Sequence, residues 1–154
     1  MTRSRLEYRT AKHTDAHDLV EICARFHAES WQSFADYDYE RMHEWMVERI
    51  DCENTEIFMA FDGSEIAGVM VGLVFCFPYS NTLVAGDYIW YVAPKYRGGM
   101  TGVRLLRMYE EWARSKDVAN IMTGVTSGIR IERGAQLLSR LGYSPAGTIM
   151  QKDV

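Results

Sequence analysis

Apolar residues recur at helical spacing near the start of the chain. Leu19, Ile22, Cys23 and Phe26 fall at i, i+3, i+4 and i+7, with Thr14 or Asp15 placed to cap them. This spacing predicts a helix over residues 13–30. A second helix is predicted over 39–50, with Met42, Trp45, Met46 and Arg49/Ile50 on one side. The stretch between them, "SWQSFADYD", is aromatic-rich and reads as a loop. From residue 55 the period changes. Two strands flank Asp62-Gly63, a hairpin signal because a primed turn needs positive φ. The second of these strands is apolar on both faces, so it belongs in mid-sheet and stops at Pro78. "TLVAGDYIWYVAP" reads as another strand, stopped by Pro94.

The helical period returns at 102–116, with Leu105, Leu106, Tyr109, Trp112 and Ala113 on one face. Residues 117–127 read as a strand, 128–141 as a helix, and 143–154 as one or two closing strands. A short strand is predicted at 5–11. Strands therefore come consecutively at first and alternate with helices later. That order predicts an α+β fold with a mixed sheet, antiparallel first and with one parallel βαβ step.

The 154 residues suit one domain, 1–154. At 47% hydrophobic and 25% charged the composition is that of a globular protein. A net charge of −4 and a pI near 5.6 speak against a general nucleic-acid or lipid binder. The three cysteines, Cys23, Cys52 and Cys76, are far apart and follow no CxxC spacing. They read as reduced thiols packed as small hydrophobes, which argues against zinc or a disulfide framework and for a cytoplasmic setting. The N-terminus lacks the apolar region of a signal peptide, and no run is long enough to span a bilayer.

The charge balance leaves any anionic ligand to local groups, and one segment supplies them. "VAPKYRGGMTGVRLL" places Arg97, Gly98, Gly99 and Gly102 where a strand gives way to a helix. The first N–H groups of a helix lack partners and its dipole is positive there. Glycines let the backbone approach a bulky anion, and an arginine can grip phosphate with two bonds. The combination suits a diphosphate. The Walker loop is excluded because no GK[ST] follows, and the dinucleotide GxGxxG is excluded by spacing. A glycine turn that merely starts a helix explains neither the arginine nor the number of glycines. A single RGG in an acidic chain is a poor RNA-binding segment.

The string Val92-x-Pro94-x-x-Arg97-Gly98-Gly99-Met100-Thr101-Gly102, followed by Leu105-Leu106, resembles the acyl-CoA loop of the GNAT N-acetyltransferase family. The resemblance covers essentially the whole chain, including the two early helices, the hairpin and the closing "LSRLGYSPAGTIMQKD". The segments "RFHAES" and "RGG" are similar to small GNAT proteins carried by phages and bacteria. The resemblance implies the GNAT fold, with a mixed central sheet of six to seven strands and four helices. It implies acetyl-CoA as acyl donor, without a metal, held in the fork between the strand before the loop and the strand after its helix. The backbone of Trp90, Tyr91 and Val92 is then expected to bind the pantetheine arm. The N–H groups of Arg97, Gly98, Gly99, Met100, Thr101, Gly102 and Val103 are expected to cradle the pyrophosphate.

The implied reaction is direct transfer of the acetyl group to a primary amine, of a small molecule or a protein. The other reading is a non-catalytic acyl-CoA-binding or protein-interaction module on the same fold. The implied partners are an amine acceptor, no nucleic acid and no membrane, with the chain a monomer or a homodimer. Several positions depart from the family. Met100 replaces a glycine, Ile131 an asparagine, and Leu138 the tyrosine that protonates the thiolate. Tyr143 is a second candidate acid, although its position is usually core. The base positions, four and six residues before Val92, are Tyr88 and Gly86. Asp87 points to the other face unless a bulge, which Gly86 permits, reverses it. Glu29 is either a binder of a cationic acceptor or an ordinary carboxylate. Trp31 and its neighbouring aromatics either wall an acceptor pocket or anchor a loop, and His27 either lines that pocket or joins the two helices.

Overall fold

The computed structural model describes residues 5–154. Five strands and four α-helices alternate along it: β1 (Glu7–Thr10), α1 (Ala16–Glu29), α2 (Tyr39–Asp51), β2 (Thr55–Asp62), β3 (Glu65–Cys76), β4 (Leu83–Val92), α3 (Thr101–Ser115), β5 (Asn120–Ile121) and α4 (Ile131–Arg140). Short 3-10 turns lie before α1, after it and after β4. The sheet runs β1-β2-β3-β4-β5, antiparallel up to β4 and parallel between β4 and β5. No helix among the described residues is long and apolar enough to cross a membrane.

The hairpin forms where Asp62-Gly63 predicts it, with Gly63 at φ 61° and Asp62 opposite Glu65. β3 is buried on both faces because helices cover both. Val69 and Val71 join Leu19, Ile22, Cys23 and Met46 under α1 and α2. Met70 and Val74 join Leu105, Leu106, Tyr109 and Ala113 under α3. Two glycines on the α3 side of β3 let that helix come close. A Cβ on Gly72 would stand 2.6 Å from the Tyr109 ring, and one on Gly68 2.9 Å from Leu105.

Three expectations need correction. The sheet has five strands among the described residues, not six or seven: residues 143–154 form no strand and lie mostly exposed. The strand expected over 117–127 pairs only at Asn120–Ile121. Beyond Met122, whose N–H donates to the Ala85 carbonyl, its residues part from β4. Of the three thiols only Cys23 is buried, which pushes it up to about 12, whereas Cys76 is exposed.

Candidate active site

The last rung between β4 and the chain after β5 is Met122 N–H to the Ala85 carbonyl, 2.9 Å. Tyr109 holds that corner from α3 by donating to the Met122 carbonyl at 2.7 Å. Beyond it the two segments part and leave a cleft of about 330 Å³. One wall is β4 from Asp87 to Val92, and one end is the loop carrying Arg97, Gly98 and Gly99. The far wall is the chain after β5 together with one face of α4: Arg130, Arg133, Gly134 and Leu137, spaced i, i+3, i+4 and i+7.

At the loop end, Gly98 sits at φ 84°, a conformation that disfavours any side chain. A Cβ on Gly98 would touch nothing within 4 Å, and one on Gly99 would reach only the Tyr96 carbonyl at that distance. The loop backbone is thus open to a ligand. Met100 ends the loop without giving α3 a side-chain cap, and α4 also lacks one. The first N–H groups of both helices are therefore unspent donors beside the cleft. Trp90 buttresses this end, donating from Nε1 to the Gly102 carbonyl at 3.2 Å. Thr101 and Val103 are buried, so their side chains pack while their backbone starts the helix. The Met100 side chain is half exposed and leaves the cradle unblocked.

The other end is shaped by a bulge. Val71 faces Ile89 and Gly72 faces Asp87, so Tyr88 is an extra residue in β4. Ile89 and Tyr91 pack with α1 and α2, while Ala85 packs with α3. The alternation therefore switches at Tyr88. Asp87 takes the α3 side, opposite Gly72, and Tyr88 turns to α2, where its ring meets Trp45 edge-on at 5.1 Å. Burial pushes the Asp87 carboxyl up to about 6, against the pull of the Thr123 hydroxyl and the Gly124 N–H. The Thr123 hydroxyl is buried and lies near the carboxyl without reaching full hydrogen-bond geometry.

The remaining sequence candidates lie elsewhere or are already engaged. Tyr143 donates to Glu110 at 2.7 Å and lines a second cavity, between α4 and residues 142–151. Leu138 is in the α3 core. Trp31 anchors the far wall: its backbone N–H and its indole N–H donate to the Ser127 and Thr126 carbonyls. His27 packs against the ring of Tyr37, in the loop between α1 and α2, at 5.3 Å. Glu29, at the end of α1, accepts from Tyr91 and from Arg97. Sequence reading missed the α4 face. Its signal was Gly134 in mid-helix, a costly choice explained by a Cβ there standing 2.2 Å from Val125.

Among the described residues a five-stranded mixed sheet forks beside a helix without a side-chain cap that follows two glycines, an arrangement of the acyltransferase type. Residues 17–132 match the acetyltransferase (GNAT) family, and the chain belongs to it. No curated protein matches it in sequence. Among solved structures, a transcriptional regulator from Bacillus halodurans C-125 superposes with a TM-score of 0.77 at 17% identity, covering 97% of this chain and 100% of that one. A predicted acetyltransferase from Clostridium acetobutylicum, solved with acetyl-CoA, gives 0.76 at 14% identity, covering 97% and 96%. An aminoglycoside acetyltransferase from an uncultured soil metagenomic sample gives 0.74 at 14%, covering 97% and 99%. At these identities the likeness is one of fold.

Proposed function

We propose that the chain is an acetyl-CoA-dependent N-acetyltransferase that passes the acetyl group directly to a primary amine of a small molecule or a protein. We read residues 1–154 as one domain of a cytoplasmic protein, monomeric or homodimeric. The observation that carries the function is the fork itself: one continuous cleft joins the open glycine loop to the Asp87 carboxyl.

Each end suits one part of the reaction. The N–H groups from Gly98 to Val103 meet the pyrophosphate, that of Arg97 being spent on the Pro94 carbonyl at 3.3 Å, and the β4 edge from Trp90 to Val92 meets the pantetheine arm. Arg130 and Arg133 supply positive charge on the opposite wall to the donor's phosphates. Asp87 is the general base. A carboxyl near 6 is largely ionised at neutral pH and so can take the proton that the neutral amine sheds as its nitrogen attacks the thioester carbon. The nitrogen forms its bond to the acetyl carbon, the carbon–sulfur bond breaks, and the thiolate leaves to be protonated by solvent. Holding both substrates in line supplies most of the remaining rate.

A second reading, an acyl-CoA-binding module without turnover, is favoured by one observation. No candidate acid faces the cleft, since a leucine stands at position 138 and Tyr143 is bound to Glu110. Thiol release from acetyl-CoA, measured across a panel of amines and intact proteins, separates the two. Amine-dependent release supports the enzyme. Tight binding of acetyl-CoA with no release on any acceptor supports the module.

A further inference from the structure

At the loop end of the cleft, Arg97, which lines it, is held by Glu29 from the end of α1. Arg97 donates from Nη2 to both oxygens of Glu29, at 2.8 and 3.1 Å, and from Nε to the Val92 carbonyl at 2.8 Å. Its guanidinium also lies 5.4 Å from the Tyr91 ring centroid, and Tyr91 donates its hydroxyl to Glu29. Only 16% of the Arg97 side chain and 31% of the Glu29 side chain is exposed. Two of the three guanidinium nitrogens, Nε and Nη2, are thus engaged within the protein. The pair is neutral as a unit, so Arg97 offers a diphosphate little net charge while Glu29 holds it.

The two charged groups in this knot have opposite preferences. The diphosphate of the proposed donor calls for Arg97. A cationic acceptor calls for Glu29. We propose that Glu29 is a built-in competitor of the donor: binding of CoA draws Arg97 away from it, and the released carboxylate then receives a cationic group of the acceptor other than the amine that reacts at Asp87. The proposal rests on the reading of the cleft as a CoA site. It makes the acceptor a cation rather than a neutral or anionic amine derivative. It also couples the half-sites in both directions, because two ligands that split one ion pair must favour each other.

Calorimetric titration of the full chain tests this with two probes: CoA, and pantetheine, which has the same thiol arm without phosphates. Glu29→Gln removes the charge and keeps an acceptor for the Tyr91 hydroxyl. It should bind CoA roughly 5- to 30-fold more tightly than the wild type, in the lower part of the usual coupling range. Pantetheine affinity should change less than about twofold, since it does not need the arginine. If the wild type binds CoA and Glu29→Gln binds it no better, the competition is refuted and the CoA site stands. Equal tightening of CoA and pantetheine also refutes it, because the gain then does not act through phosphate. If the wild type binds no CoA, the donor reading fails and this proposal fails with it. Should Glu29→Gln not fold, Glu29→Asp keeps the charge on a shorter arm and should show a smaller gain in the same direction.

Discussion

The first half of β4 is paired on both sides, and the second half on one. From Leu83 to Ala85 the strand has β3 on one edge and β5, with its flanking residues Ala119 and Met122, on the other, and Val84, Ala85 and Gly86 are buried. From Ile89 to Val92 it keeps β3 alone, and Trp90 and Val92 turn half-buried towards the cleft. The bulge at Tyr88 lies at the join. The difference shows how one strand can be scaffold and site. The closed half fixes the geometry, and the open half offers backbone groups that no neighbouring strand consumes. Asp87 stands where the two regimes meet, which accounts for both its burial and its access to the cleft.

The largest effect expected is at that junction. Asp87→Asn should lower kcat/KM by about 10²- to 10⁴-fold with whichever amine is turned over, the range of a lost general base. The wild-type profile should fall on the acid side near pH 6, and the variant should lose that limb. An unchanged limb excludes Asp87 as the base. The same substitution should act oppositely on stability. The folded state raises this carboxyl from 3.8 to about 6, so it binds the proton more tightly than the unfolded chain does. The stability this contributes is present below about pH 4 and is lost as the pH rises through 6. At pH 7 Asp87→Asn should therefore melt above the wild type, by at most about 3 kcal/mol. A lower melting temperature at pH 7 would contradict the burial of that charge.

At the open end, Arg97→Ala should weaken CoA binding by about 1.5–3 kcal/mol, the scale of a charge-assisted bond. Unchanged affinity would remove Arg97 from the phosphate cradle. In the closed half the expected effect is structural. Gly72→Ala should cost about 1–3 kcal/mol in a denaturant melt, because its Cβ meets the Tyr109 ring at 2.6 Å and α3 must shift. The smallest effect belongs to Tyr143→Phe. Its hydroxyl serves Glu110 and not the cleft, so kcat should stay within about twofold while stability falls by about 1 kcal/mol, one hydrogen bond. A large fall in kcat would return Tyr143 to the chemistry.

How much could be read from the sequence follows the same division. The loop at 94–103 was legible because Pro94, Arg97 and the glycines act locally: a stopped strand, a positive φ and a helix start need no distant partner. The four helices and the hairpin were legible from periodicity and from Asp62-Gly63. The sheet was overcounted, because strand propensity after Asn120 and after Tyr143 says nothing about whether a neighbouring edge is within reach. The side taken by Asp87 turned on a bulge that Gly86 permits but does not fix, and it resolved at Tyr88. The engagement of Glu29 by Arg97 spans 68 residues, and no local pattern encodes it. The α4 wall left a trace in Gly134, legible only once Val125 is seen beneath it.

The central claim is that the one-sided half of β4 and the glycine loop form the donor site. The most direct measurement is an amide-resolved NMR titration of the full chain with CoA. The account predicts the largest shifts at residues 90–92 and 98–103, with smaller ones at 124–126 on the facing wall. Shifts confined to residues 142–151 around the second cavity, or none at any CoA concentration, would contradict it.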